Sequence, residues 1–401
     1  MRNFLLLLIF TLLTTLTHSQ TLTLSGDADI SIITLGPGNY LYDKFGHSAI
    51  RVKDENSDLD LVFNYGTYDF NTPGFYTKFV QGKLLYSLSV SDYESFYHYY
   101  KSEDRWIIEQ VLNLNVTQKK EVFDLLVENI KPENRKYLYD FIYDNCATKI
   151  RDVFSMALGN DLKYNTELEE EKSFRELVQE NLHHNTWGSV GIDLALGAPT
   201  DRIASKLEQQ FLPDYVLEAD AKAKVRASSG EWQPFVKETI TIYEQQKEKK
   251  ETGFFLFSPW VVFSIIGIGL IALSVRDVIR KKRTKSVDII IFILTGIIGV
   301  VISILWFASD HYATKLNYNI LWAFPLSLLF IRAITKNKYH KRLVHYIILL
   351  SILIVLLFFH WITGVQRYPL PILPLLIGLL IRYRYLVTFY KNMERKQAIN
   401  S

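Results

Sequence analysis

Only one cysteine, Cys146, occurs among 401 residues. That scarcity excludes an internal disulfide and an all-cysteine zinc site, and leaves the thiol as either small core filler or chemistry. No His-x-x-x-His pair or clustered carboxylates point to a metal, and the glycine loops of Walker or Rossmann spacing that cradle phosphates are missing. The net charge is only +3. The basic clusters lie between apolar runs, where they set membrane topology rather than bind nucleic acid. What is present is 49% hydrophobic and 14% aromatic residues, which excludes a disordered or fibrous chain. A mean hydropathy of +0.06 averages two unlike halves. Residues 20–252 mix charged and apolar positions as a water-soluble domain does, whereas 254–390 are mostly Ile, Leu, Val, Phe and Trp.

The first residues combine Arg2, an apolar run over 4–16 and the small residues Thr17 and Ser19, the pattern of a secretory signal peptide cut after Ser19. Five spans are expected, over 255–275, 287–307, 318–334, 343–363 and 369–387. The third and fifth are short and carry Pro325, Pro371 and Pro374. Arg276, Arg280, Lys281, Lys282, Arg283 and Lys285 follow the first span, and Arg332, Lys336, Lys338, Lys341 and Arg342 follow the third. The other two loops hold only Lys315 and Arg367. The positive-inside rule then places the basic loops and the C-terminus in the cytoplasm, and an odd number of spans places 20–252 outside.

Within the exported part, the apolar run 30–35 ends at Gly36-Pro37-Gly38, and 47–52 and 59–65 read as a hairpin that opens at His47. A third strand is expected at 84–90 and a helix at 117–129. Tyr137, Tyr139, Phe141 and Tyr143 alternate as on a strand; Asp144-Asn145 then cap a helix over 146–158. Cys146 thus falls in a first helical turn, where free N–H groups and the dipole favour thiolate. Another helix is expected at 173–182, an ordered glycine-rich loop with Asp193 and Asp201 at 187–202, and an amphipathic connector helix at 231–250.

A cysteine nucleophile needs a base and a group that fixes the base's tautomer. His47 is the candidate base. If Val52 faces Leu61, His47 faces about Gly66, with Asn64 nearby on the return strand; Tyr65, Asp69 and Asp193 are rivals for the third role. His98, His183 and His184 read as surface or packing groups. On the membrane part's outer side lie Asp310, His311, Asn317, Asn319 and His360, a candidate headgroup or lipoprotein groove.

The runs 45–52 (FGHSAIRV), 63–66 (FNYG), 137–148 (YLYDFIYDNCAT), 211–215 (FLPDY), Asp310-His311 and 317–323 (NYNILWA) resemble the Bacteroidota Lnb family of lipoprotein N-acyltransferases. The order of histidine, polar residue and helix-start cysteine also resembles circularly permuted NlpC-type papain-like folds. The resemblance implies an α+β papain-like periplasmic domain followed by an all-α five-helix transmembrane domain in the bacterial inner membrane. The expected organisation is a signal peptide over 1–19, the cysteine-dependent domain over 20–230, a connector helix over 231–252, the five-helix domain over 253–391 and a cytoplasmic tail over 392–401. The implied reaction moves an acyl chain from a phospholipid to Cys146, then to the α-amine of a diacylated lipoprotein's N-terminal cysteine. Cys146, His47 and Asn64 would be catalytic, Asn145 and Tyr65 oxyanion or support groups, and no cofactor is needed. A membrane-anchored murein amidase or peptidase and a non-catalytic binding module are the alternatives.

Overall fold

The computed structural model describes residues 24–247, 255–336 and 340–400. The signal peptide expected over 1–19 lies outside the described residues. Strand β1 (Asp29–Leu35) is buried at every position from Ile30 onward. A strand apolar or uncharged on both faces must be covered on both, and β1 accordingly sits inside the sheet, between β2 (His47–Asp54) and β5 (Ile107–Leu112). β2 and β3 (Leu59–Thr67) form the expected hairpin, with Val52 opposite Leu61 and Ile50 opposite Phe63. Helix α1 (Phe75–Val80), β4 (Leu85–Asp92), α2 (Tyr93–Ser102), α3 (Val116–Asn129), β6 (Lys136–Leu138) and α4 (Cys146–Leu158) complete this region. Among the described residues the main sheet has seven strands; the last strand of the domain, β10 (Val236–Tyr243), forms one edge, and the order is β10-β5-β1-β2-β3-β4-β6, with antiparallel neighbours. α3 and α4 pack through Val122, Phe123, Ile150 and Phe154 on the face that carries Ile50, Phe63 and Tyr65. Phe96 of α2 packs on the opposite face, with Ala49 and Val62.

Three expectations change here. The alternating tyrosines pair as a strand only over β6; Asp140 then accepts from Ile142 N–H and Tyr143 N–H, turning the chain toward α4. The glycine-rich stretch 187–202 is not a loop. After α5 (Phe174–Glu180), Thr186 caps α6 (Trp187–Ala195) by accepting from Ser189 N–H, and a 3-10 turn spans Ala198–Asp201. The third concerns the connector. α7 (Lys206–Gln209), α8 (Pro213–Lys222), β7 (Leu162–Lys163), β8 (Lys224–Arg226) and β9 (Trp232–Pro234) lead into β10 (Val236–Tyr243). The residues expected as a helix over 231–252 are therefore strand through Tyr243, and 248–252 lie outside the described residues. β-branched Val236, Thr239, Ile240, Thr241 and Ile242 favour extended backbone, and the open edge of β5 supplies the ladder.

The apolar half contains α9 (Pro259–Ile279), α10 (Lys285–Phe307), α11 (Ile331–Ile334), α12 (Lys341–Ile362) and α13 (Leu373–Asn400). Among the described residues four helices are long and apolar enough to span a bilayer. A fifth span results if Tyr312–Leu321 and Pro325–Ile334, bent by 42°, count as one. The stretch expected as the third span is thus no continuous helix but a bent pair, a broken span or a re-entrant loop, its second half starting at Pro325, which has no N–H to continue a helix. The fifth is longer than expected: Pro371 and Pro374 fall before or within its first turn, where proline is tolerated.

Arg283, counted from the sequence as a loop charge, is internal, and so is Arg382 of the last span. Arg382 donates from Nε to Asp288 (2.6 Å) and from Nη1 to Asp277 (2.9 Å), and Arg283 Nε donates to Asp288 (2.6 Å). All four groups are buried. Two cations facing two anions avoid leaving a lone charge in a low-dielectric interior, so this cluster ties α9, α10 and α13 together at the end remote from the sheet domain.

Candidate active site

Cys146 is held by its neighbour. Asn145 caps α4: its Oδ1 accepts from Thr148 N–H (2.9 Å), Thr148 Oγ1 accepts from Asn145 N–H (2.8 Å), and Asn145 Nδ2 donates to the carbonyls of Phe141 (2.7 Å) and Phe211 (2.8 Å). Its polar atoms are committed to backbone and it is buried. Asn145 is therefore a support that fixes where the thiol stands, not an oxyanion donor.

His47 begins β2 immediately after Gly46, whose φ of +77° and near approach to the Leu35 carbonyl (2.8 Å from an added Cβ) leave no room for a side chain. The imidazole Nε2 meets Asn64 Oδ1 at 2.6 Å. An amide oxygen only accepts, so Nε2 carries the proton and Nδ1 is left for the thiol. The ring stacks on Tyr100 of α2 at 6.2 Å between centroids, and the Arg105 guanidinium lies over the Tyr100 ring at 5.0 Å.

By strand alternation His47 and Asn64 share the α2 face, whereas α4 packs on the other. The two groups meet because the sheet is interrupted between them. The β3–β4 register shifts between Asn64 and Thr67, and Gly66, at φ +91°, leaves the space that joins thiol and imidazole. A Cβ there would lie 3.4 Å from Cys146 Cβ and 3.9 Å from His47 Cε1. An isolated glycine in a strand pattern often marks such a bulge, which is the sequence signal for this feature.

Burial pushes the Cys146 thiol up, but the His47 charge, a hydrogen bond from His47 and the N–H groups of Ser48 and Ala147 outweigh it, and its pKa lies below the ordinary thiol value. The Ala147 N–H belongs to the first helical turn, which follows from the sequence. The Ser48 N–H and the Tyr100 ring are tertiary contributions that sequence reasoning missed. The spacing of Tyr93, Phe96, Tyr97 and Tyr100 was the available signal for a helix carrying Tyr100.

The rivals for the third position are occupied elsewhere. Tyr65 is buried and its hydroxyl accepts from Asn129 Nδ2 (2.8 Å), on the core side. Asp69 accepts from Asn71 N–H (2.8 Å) in an exposed turn, and Asp193 pairs with Arg175 (2.8 Å). Tyr65 accordingly supports the core under β3 rather than an oxyanion.

The five polar residues expected to line a groove do not form one. Asn317 and Asn319 are fully buried: Asn317 Nδ2 donates to the carbonyls of Leu194 (2.8 Å) and Ala195 (3.0 Å), and Asn319 Nδ2 donates to Leu194 (3.2 Å) and to Asn317 Oδ1 (3.0 Å). Their donors satisfy the end of α6, so they join the two halves of the chain. Gln366, also buried, does the same, donating to the Leu196 carbonyl and accepting from Tyr318 N–H (2.8 Å). His311 Nε2 donates to the Phe79 carbonyl (2.7 Å) and Asp310 N–H donates to the Gln81 carbonyl (2.9 Å), which anchors α1. His360 stands apart, its Nδ1 on the Leu356 carbonyl and its ring against Tyr318. Among the described residues no group of three or more His, Cys, Asp or Glu is placed to hold a metal.

Two family models match this chain: the Lnb N-terminal periplasmic domain over residues 21–180 and the Lnb transmembrane domain over 248–393. The chain belongs to the Lnb family. No curated protein and no solved structure matches it. The Lnb periplasmic match contains His47, Asn64 and Cys146, and the transmembrane match contains all the helices from α9 to the start of α13. This Lnb chain is thus a membrane protein with an N-terminal periplasmic domain and four or five spanning helices.

Proposed function

We propose that the protein is a cysteine-dependent lipoprotein N-acyltransferase of the inner membrane, with its sheet domain in the periplasm and its C-terminus in the cytoplasm. The observation that carries this reading is the alignment of Cys146, His47 and Asn64 within a domain hydrogen-bonded to one end of a membrane bundle. The chain order of histidine strand, asparagine strand and cysteine helix is what a permuted papain-like fold requires.

In the first half-reaction the Cys146 thiolate attacks an acyl ester carbonyl of a phospholipid. Sulfur–carbon bond formation pushes the carbonyl electrons onto oxygen, and N–H groups of the first turn of α4 stabilise that oxyanion. Collapse breaks the ester C–O bond, and the His47 imidazolium gives its proton to the departing lysophospholipid oxygen. In the second half the neutral α-amine of a diacylated lipoprotein attacks the thioester. His47 takes the amine's proton and the sulfur leaves as thiolate, so the amide forms with the enzyme restored. Asn64 holds the imidazole so that one nitrogen serves both steps. Covalent catalysis lets two bulky lipid substrates use one site in turn.

The test is intact-mass analysis after incubation of the full-length protein with phospholipid vesicles and acid quench. An increment of one acyl chain, released by hydroxylamine and lost in Cys146→Ser, is expected, with transfer to a diacylated lipopeptide on its addition. An unmodified wild-type protein would sink the proposal, and Cys146-dependent cleavage of murein peptides would replace it with the amidase reading.

A further inference from the structure

β3 leaves the site at Thr67 and runs directly into a segment rich in exposed rings. Phe70 is 63% exposed, Tyr76 78% and Phe79 47%. Isolated apolar residues on a surface are ordinary, but a cluster on one short segment marks a surface with a partner. The partner's chemistry follows from where the segment is fastened. Its far end is hydrogen-bonded through the Phe79 and Gln81 carbonyls to His311 and Asp310, just beyond the end of the spanning helix α10. It is therefore held at the depth where the bundle meets the leaflet on the sheet-domain side. Lys78 lies among the rings and Lys83 just after them, the mixture of aromatic residues and cations found at membrane interfaces.

The rings also connect that surface to the thiol. Phe79 stacks on Phe75 at 6.5 Å, Phe75 lies 5.8 Å from Tyr68, Tyr68 lies 5.1 Å from Tyr86, and Tyr86 stacks on Tyr139 at 4.2 Å. The row begins beside the thiol, because Tyr68 follows two residues after Gly66, where an added Cβ would lie 3.4 Å from Cys146 Cβ. Each step is ordinary ring-to-ring contact. Together they form an apolar row of rings that runs from the exposed end of the segment to the start of β4.

We propose that residues 68–80 are embedded in the leaflet and that the row of rings from Phe79 to Tyr68 forms a track for one acyl chain of a glycerophospholipid, with its ester end at Cys146 and its tail still in the bilayer. This rests on the reading of Cys146 as the acyl carrier and adds to it the residues that receive the donor. The track spares the enzyme the cost of lifting a whole lipid into water. It also selects for chain-bearing esters over short soluble ones, because only a long chain reaches the outer rings.

The experiment uses the full-length protein in lipid nanodiscs and has two arms. In a Cys146→Ser background, Tyr76→Cys or Met156→Cys supplies a single attachment point for an environment-sensitive fluorophore; Met156 is exposed three turns along α4 from the thiol. Strong quenching by spin-labelled lipid at position 76 and little at 156 is expected, and equally weak quenching at both overturns the embedding. With Cys146 intact, Phe75→Ala and Phe79→Ala should lower thioester formation from bilayer phospholipid about tenfold more than formation from a short-chain soluble ester. Equal losses with both donors overturn the acyl track while leaving the Cys146 reading standing. Absence of any adduct from either donor in the wild type overturns the Cys146 reading itself, and the track with it.

Discussion

Replacing Asn64 by alanine removes the side-chain hydrogen bond that orients the His47 ring. The 2.6 Å contact between His47 Nε2 and Asn64 Oδ1 is a side-chain hydrogen bond in a half-buried setting. Such a bond is worth about 0.5–1.5 kcal/mol when neutral and about 1.5–3 kcal/mol when the imidazole is charged, as it is opposite a thiolate; the charged case corresponds to roughly 10- to 150-fold in rate. The expected result for Asn64→Ala is therefore acylation slowed about 10- to 150-fold, without loss of the fold. Asn64→Asp, which keeps an acceptor in place, should recover much of that loss. A second readout separates orientation from bulk stability. Burial works against the thiolate, and the His47 charge, its hydrogen bond and two N–H groups more than offset it. Wild-type Cys146 should thus react with iodoacetamide at pH values below those of an ordinary thiol. Loosening His47 removes part of the lowering while burial remains, so the midpoint should move upward in Asn64→Ala and further in His47→Ala. Single-turnover intact-mass kinetics and the pH profile of alkylation measure both effects. An Asn64→Ala protein with wild-type acylation rate and an unmoved alkylation midpoint would refute the assignment of Asn64.

Gly66→Val should nearly abolish thioester formation, because the added branches must enter the space between Cys146 Cβ and His47 Cε1 at a positive φ; circular dichroism checks that the fold survives, and an active, folded variant would show that the gap is not needed. Asp220 is almost fully buried, receives a hydrogen bond from Tyr164 and has its carboxyl pushed up to about 8 by burial, from 3.8. Its folded pKa is the higher one, so its contribution to stability is complete below pH 3.8 and is lost as pH rises through about 8. By pH 7 the loss relative to a neutral group is on the order of 4 kcal/mol. Asp220→Asn should therefore melt higher than wild type by a margin that widens from pH 5 to 8, and a margin independent of pH would contradict the buried-carboxyl account.

Much of the local structure was legible because it depends on neighbours in sequence. Asn145 followed three residues later by Thr148 and an apolar repeat marks the start of α4, and the apolar pairing of 47–52 with 59–65 set the hairpin register. Positions 236–243 were less legible. Their pattern suits a helix or an edge strand, and only the vacant edge of β5 decides between them. Glycines 188 and 191 argued against a helix that a Thr186 cap and tertiary packing nonetheless produce. Asn317 and Asn319 looked like groove residues because a buried amide and an exposed one are identical in sequence; the carbonyls they satisfy come from α6, more than a hundred residues away.

The sequence by itself determined the division into an exported part and an apolar part, the sole thiol and its place in a first helical turn, because composition, periodicity and capping act over a few residues. The tertiary structure alone decided that Cys146 meets His47 at a break in the sheet made by Gly66, that Tyr100 and the Ser48 N–H complete its surroundings, and that an aromatic segment links it to the bundle. Those contacts join residues tens to hundreds of positions apart, and no local propensity encodes which distant surfaces will close on one another.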